Sequence, residues 1–72
     1  MNKEEFLEEM VDVIQTEEKI TMETVLEDLE EWDSLSIMST MAFLDKNFSV
    51  KTSMADYKAM ITIGDIAKKA GI

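Results

Sequence analysis

The chain is expected to be all-α, a small four-helix bundle with a long loop between helices 1 and 2 and a short third helix. Three observations predict this. Apolar residues recur at helical spacing in separate stretches. Capping signals of the form Asn/Ser/Thr-x-x-Asp/Glu stand before three of those stretches. Between the first two lies a polar segment without period. Seventy-two residues make one domain, 1–72, too short to enclose a large pocket.

Asn2 with Glu5 reads as a capping box, and Phe6, Leu7, Met10, Val11 and Ile14 follow at helical spacing, which predicts a first helix over Lys3 to Gln15. Its other face carries Glu4, Glu5, Glu8, Glu9 and Asp12. Acids suit the first turns of a helix, but their crowding at three- and four-residue spacing marks a solvated face. From Thr16 to Glu31 the apolar residues thin out to Ile20, Met22, Val25, Leu26 and Leu29. This predicts an ordered connection with one helical turn near Val25 to Leu29. So long a connection requires side chains to pin it, and Ile20, Val25, Leu26 and Leu29 are suited to reach into the core.

The next stretch, Glu30 to Ser36, reads E-E-W-D-S-L-S. The acidic run stops at Trp32, and Asp33 is a good N-cap, which puts Ser34 at the first helical position. A phosphate ester on the Ser34 hydroxyl would sit at the positive end of that helix, near free N–H donors. The helix is predicted over about Ser34 to Phe48. At 100° per residue, Ile37, Met41, Leu44 and Phe48 form one stripe, with Thr40 at its flank, and Leu35, Met38, Ala42 and Asp45 form a second on the side of Ser34. The second stripe is expected to meet a partner, whereas Phe43 falls outside both.

Thr52 or Ser53, the latter with Asp56, caps a short third helix through Tyr57 to Met60. Met54, Tyr57, Met60 and Ile61 are expected to close one side of the core. Thr62 with Asp65 caps the last helix, where Ile63, Ile66, Ala67 and Ala70 face inward. Lys68 and Lys69 suit its final turn, and Gly71 reads as its stop.

Composition narrows the function. There is no cysteine and no histidine, which removes thiol nucleophiles, disulfides, the usual zinc ligands and the commonest general base. An enzyme is therefore not expected, no residue is expected to be catalytic, and no metal site is expected, since a D-x-D-x-D-G loop is missing. A net charge of -9 would repel nucleic acid and anionic membranes and attract basic partners. The opening M-N-K-E-E-F-L-E-E-M has no apolar core of signal-peptide type, and no apolar run reaches membrane-spanning length. A cytoplasmic monomer is the expectation.

D-S-L at the start of the second helix, followed by S-x-x-M-x-x-x-x-L-x-x-x-F, resembles the acyl carrier proteins. The resemblance extends to the length, the acidity, the amphipathic first helix, the long loop and a T-I-x-D-I-like last helix, Thr62 to Ile66. It implies that Ser34 carries a phosphopantetheine arm whose thiol holds an acyl or aminoacyl group as a thioester. The implied partners are a phosphopantetheinyl transferase, an acyl- or aminoacyl-loading ligase and downstream biosynthetic enzymes. Asp33 would help the transferase hold magnesium, and Asp33, Leu35, Met38, Ala42 and Asp45 would meet partners. Leu29, Ile37, Met41 and Leu44 would line a space for an acyl tail, with flexible methionines helping the core adapt.

Two features depart from the common fatty-acid carriers. Positions of the second helix where those carriers place acids hold Ser36, Ser39 and Lys46, with Asp45 retained. Recognition would then lean on Leu35, Met38 and Ala42 or on Glu27, Asp28, Glu30 and Glu31. A glycine common near the motif is also missing, and Trp32 precedes Asp33, a W-D-S-L pattern more similar to dedicated carriers of specialised pathways. The competing class is an unmodified acidic helical adaptor that offers the Leu35, Met38, Ala42 stripe to a partner helix.

Thirteen acids face two lysines in residues 1–33, whereas residues 34–72 hold three acids and five lysines. Self-repulsion in the first half predicts a melting temperature that rises from low to moderate salt. A thermal scan flat across that range refutes it.

Overall fold

A computed structural model describes all 72 residues, and its regular elements are four α-helices. Helix α1 spans Lys3–Ile14, α2 spans Ser34–Phe48, α3 spans Met54–Lys58 and α4 spans Ile63–Ala70. A single 3-10 turn, Leu26–Asp28, lies in the connection between α1 and α2. No helix is long and apolar enough to cross a membrane.

The caps act much as their residue types dictate. Asn2 accepts from the Glu5 amide at 2.8 Å while Glu5 accepts from the Asn2 amide at 3.2 Å. Gln15, expected inside α1, is instead its left-handed C-cap at φ 60°. At α3 the Asp56 carboxylate accepts from the Ser53 amide at 2.7 Å. That helix stops at Lys58, before Met60, with Ala59 as its C-cap and the Ala59 amide donating to Asp56 O at 3.3 Å. At α4 the Thr62 hydroxyl accepts from the Asp65 amide at 3.3 Å, and Gly71 ends the helix at φ 93°.

Phe6, Met10 and Ile14 of α1 meet Phe43 and Leu44 of α2, Tyr57 of α3 and Ile63, Ile66, Ala67 and Ala70 of α4 in one core. Three rings meet there: Phe6, Phe43 and Phe48 lie with centroids 5.8 to 6.3 Å apart in tilted and edge-on pairs. This arrangement corrects the expected rotation of α2. Phe43, assigned to neither stripe, is buried, while Ile37, Met41 and Phe48 are only half-buried. The inner face instead includes Ser36 and Thr40. Met54 and Ile61, expected in the core, are exposed, leaving Tyr57 and half-buried Met60 to close that side.

The connection from Thr16 to Asp33 is held in two ways. Ile20, Leu26 and Leu29 are buried in the core, and Val25 is half-buried. Its backbone also pairs with the start of α4: the Leu26 amide donates to Ile61 O at 2.9 Å, the Ile63 amide to Thr24 O at 3.0 Å, and the Gly64 amide to Met22 O at 2.8 Å. Ile63 and Gly64 are the first two residues of α4, so loop carbonyls take up amides that no helical partner can reach.

This pairing requires a glycine. A Cβ on Gly64 would stand 2.9 Å from Met22 O, a backbone atom that cannot swing away. Gly64→Ala is therefore expected to destabilise the domain by about 1–3 kcal/mol, even though alanine gains up to ~1 kcal/mol in helix propensity. Urea titration measures this, and a neutral or stabilising result would show that the contact is not tight.

Candidate functional site

The start of α2 is built from the loop end upward. Trp32 is half-buried and its ring lies 6.3 Å from that of Tyr57, which ties the residue before the cap to α3. Asp33 follows in extended backbone and accepts from the Ser36 amide at 3.0 Å and from the Ser36 hydroxyl at 3.1 Å. The Ser36 hydroxyl also donates to the carbonyl of Glu31. One turn on, the Thr40 hydroxyl donates to Ser36 O at 2.8 Å. Each buried hydroxyl on the inner face of α2 thus has a partner, which makes its burial tolerable.

The resemblance to carriers sets Ser36 at a position where an acid would face partners. It is buried and fastens the loop to the helix instead. Sequence reasoning missed this, although a hydroxyl three residues after an Asp N-cap was available as a signal.

Ser34 is exposed, and its hydroxyl makes no side-chain hydrogen bond within the protein. The Ser34 and Leu35 amides, first and second in α2, donate to no backbone carbonyl. This sets α2 apart from α4, whose corresponding amides are taken by the loop. Donors from Ser36, chiefly its amide and then its hydroxyl, hold the Asp33 carboxyl below the usual carboxylate range, with a smaller contribution from the Leu35 amide.

Leu35, Met38, Ala42 and Asp45 are all exposed, with Leu35 at 74% and Met38 at 59%. Bare leucine and methionine beside an exposed serine form an apolar strip that the core does not use. Of the four residues considered for an acyl tail, Leu29 and Leu44 are sealed in the core and Ile37 and Met41 pack half-buried against it. Met41 borders a shallow surface depression with Ala42, Asp45, Lys51 and Thr52, and the other three do not share it. No cluster of three or more acidic side chains is arranged to hold a metal ion.

Set against known proteins, the chain matches no family model, no curated protein and no solved structure.

The carboxyls of Asp33, Asp56 and Asp65 are all held below their ordinary value of 3.8, in each case chiefly by backbone amides at a helix start. A depressed carboxylate contributes stability above its unfolded pKa and loses it as pH falls through the folded one. Asp33→Asn should therefore melt below the native chain at neutral pH, with the gap closing as pH falls from about 5 to below 3. A gap constant across that range would mean that the charge of Asp33 does not act through these bonds.

Proposed function

We propose that this protein is an acyl carrier protein that holds an acyl or aminoacyl group as a thioester on a phosphopantetheine arm attached to Ser34. It would present that cargo to the enzymes of a dedicated biosynthetic pathway in the cytoplasm. The observation that carries this reading is the state of Ser34: an exposed hydroxyl at the first position of a fifteen-residue helix whose first two amides reach no carbonyl.

The residues present fit the group. A phosphodiester on Ser34 Oγ would lie at the positive end of α2, near the Ser34 and Leu35 amides that donate to no backbone carbonyl, a setting that favours anionic oxygens. Attachment would join Ser34 Oγ to phosphorus, with the hydroxyl proton passing to the transferase and the adenosine bisphosphate half of coenzyme A leaving. When bound, the arm supplies a thiol for thioester chemistry. This chain's own residues position and recognise. Asp33 fixes the start of α2 and keeps its negative charge beside the attachment point, where it would help the transferase hold magnesium. Leu35, Met38 and Ala42, with Asp45, would form the surface on which the transferase, the loading ligase and later enzymes dock. The four-helix bundle would act as a rigid post, and Leu29, Ile37, Met41 and Leu44 would contact an acyl tail only after the bundle opened.

A second reading, an unmodified acidic interaction adaptor, is favoured by the same exposed Leu35 and Met38, which suit a groove on a partner whether or not an arm is present.

Intact-protein mass spectrometry after incubation with coenzyme A and a broad-specificity phosphopantetheinyl transferase separates the two. The native chain should gain one arm, and Ser34→Ala none. Met38→Glu should slow arm attachment about tenfold or more while leaving the melting temperature within a few degrees, because a surface substitution alters docking and not the core. A native chain unchanged in mass refutes the carrier reading.

A further inference from the structure

Ser34 is exposed, and the backbone that carries it has few bonds of its own. The Ser34 and Leu35 amides donate to no backbone carbonyl, and the first backbone bond of α2 runs from the Ile37 amide to Asp33 O at 3.0 Å. A helix start held this lightly opens more readily than the turns behind it.

One buried residue closes it. Ser36 is 6% exposed. Its amide donates to Asp33 Oδ1 at 3.0 Å, and its hydroxyl reaches both that oxygen, at 3.1 Å, and the Glu31 carbonyl. A hydroxyl has a single proton, so it bridges the two acceptors by sharing, while the amide is a fixed donor. The Ser36 carbonyl in turn accepts from the hydroxyl of fully buried Thr40 at 2.8 Å, which anchors the residue to the inner face of α2. Glu31 and Asp33 stand before Ser34 and Ser36 stands after it, so these bonds close a short ring of chain around the exposed serine. Trp32, packed on Tyr57, pins the same ring to α3.

Resting on the carrier reading, we infer that Ser36 is a positioning residue for arm attachment: its hydroxyl, shared between Glu31 and Asp33, holds the chain on both sides of Ser34 so that the serine meets a transferase in one fixed place. Ser36 is buried and acts only through the backbone of its neighbours. A hydroxyl held in one place reaches a reactive geometry at a smaller entropic cost than one carried on a fraying turn. An ionised acid at this position would have no proton for either acceptor, so the serine performs a task that a carboxylate could not.

The test follows arm attachment by mass at low carrier concentration, which reads kcat/KM, and exchange of the Ile37 amide by NMR in the unmodified chain. Ser36→Ala removes the hydroxyl, and Ser36→Cys keeps its shape with a much weaker donor. Both should lower kcat/KM about five- to tenfold and speed Ile37 exchange by a similar factor, as expected for the loss of one hydrogen bond. Asn2→Ala is the control for stability, because it is the last turn of α1, Val13 to Gln15, and not its start, that lies beside the start of α2. It removes a helix cap and should lower the melting temperature comparably, yet leave both rates within about twofold of native. Native attachment by either Ser36 variant, slowed attachment without faster Ile37 exchange, or equal slowing by Asn2→Ala overturns the positioning role and leaves the carrier reading standing. Failure of the native chain to accept the arm overturns both.

Discussion

The connection between α1 and α2 has too few apolar residues to define its own course. What defines it is backbone pairing with the start of α4, where Thr24 and Met22 carbonyls receive the Ile63 and Gly64 amides. The two partners solve each other's problem: a helix start has amides that no preceding turn can satisfy, and a loop has carbonyls without a ladder. Gly64 is the residue that permits the approach, since any side chain there would press on Met22 O. Everything downstream follows from where this loop is set. Leu26 and Leu29 drop into the core, Trp32 reaches Tyr57, and Asp33 arrives where it can cap α2.

The second determinant is the rotation of α2. A helix apolar around much of its circumference can turn several ways, and simple stripe counting favours the aliphatic face of Ile37 and Met41. Packing favours a different one. Phe43 closes a three-ring cluster with Phe6 and Phe48, and large aromatic rings bury more area per residue than the alternatives. That rotation carries Ser36 and Thr40 inward, which is tolerated because Glu31, Asp33 and Ser36 itself supply acceptors for their hydroxyls. It also carries Leu35 and Met38 outward beside Ser34. The apolar strip and the polar inner face are two consequences of one packing choice.

The charge distribution sharpens the contrast between the ends of the helices. At α1, α3 and α4 a carboxylate three residues into the helix or next to the cap satisfies amides locally, and at α4 the loop takes the rest. At α2 the Asp33 carboxylate takes the Ser36 amide, with a smaller contribution from the Leu35 amide, and, as at α1 and α3, the first two amides donate to no backbone carbonyl. On the proposed reading this is where an anionic ester is attached. The one ion pair, Lys69 with Asp56 at 3.9 Å and part-exposed, is a weak tie between α4 and α3. The acidic first half has no such pair within 4.0 Å, and its fold rests on the core.

Local chemistry was legible in the sequence. The four helices, the span of α2 from Ser34 to Phe48, the boxes at Asn2 and Thr62, the stop at Gly71 and the inward face of α4 all follow from caps and periodicity, which act over three or four residues. So did the placing of Ser34 at the first position of α2. What residue types could not decide were contacts between distant segments: the pairing of Met22 to Leu26 with Ile61 to Gly64, the choice of Phe43 over Ile37 for the core, and the outward placing of Met54 and Ile61. Each depends on which surface meets which across the fold. An N-cap is specified by its own neighbours, but a buried face is specified only by what is packed against it.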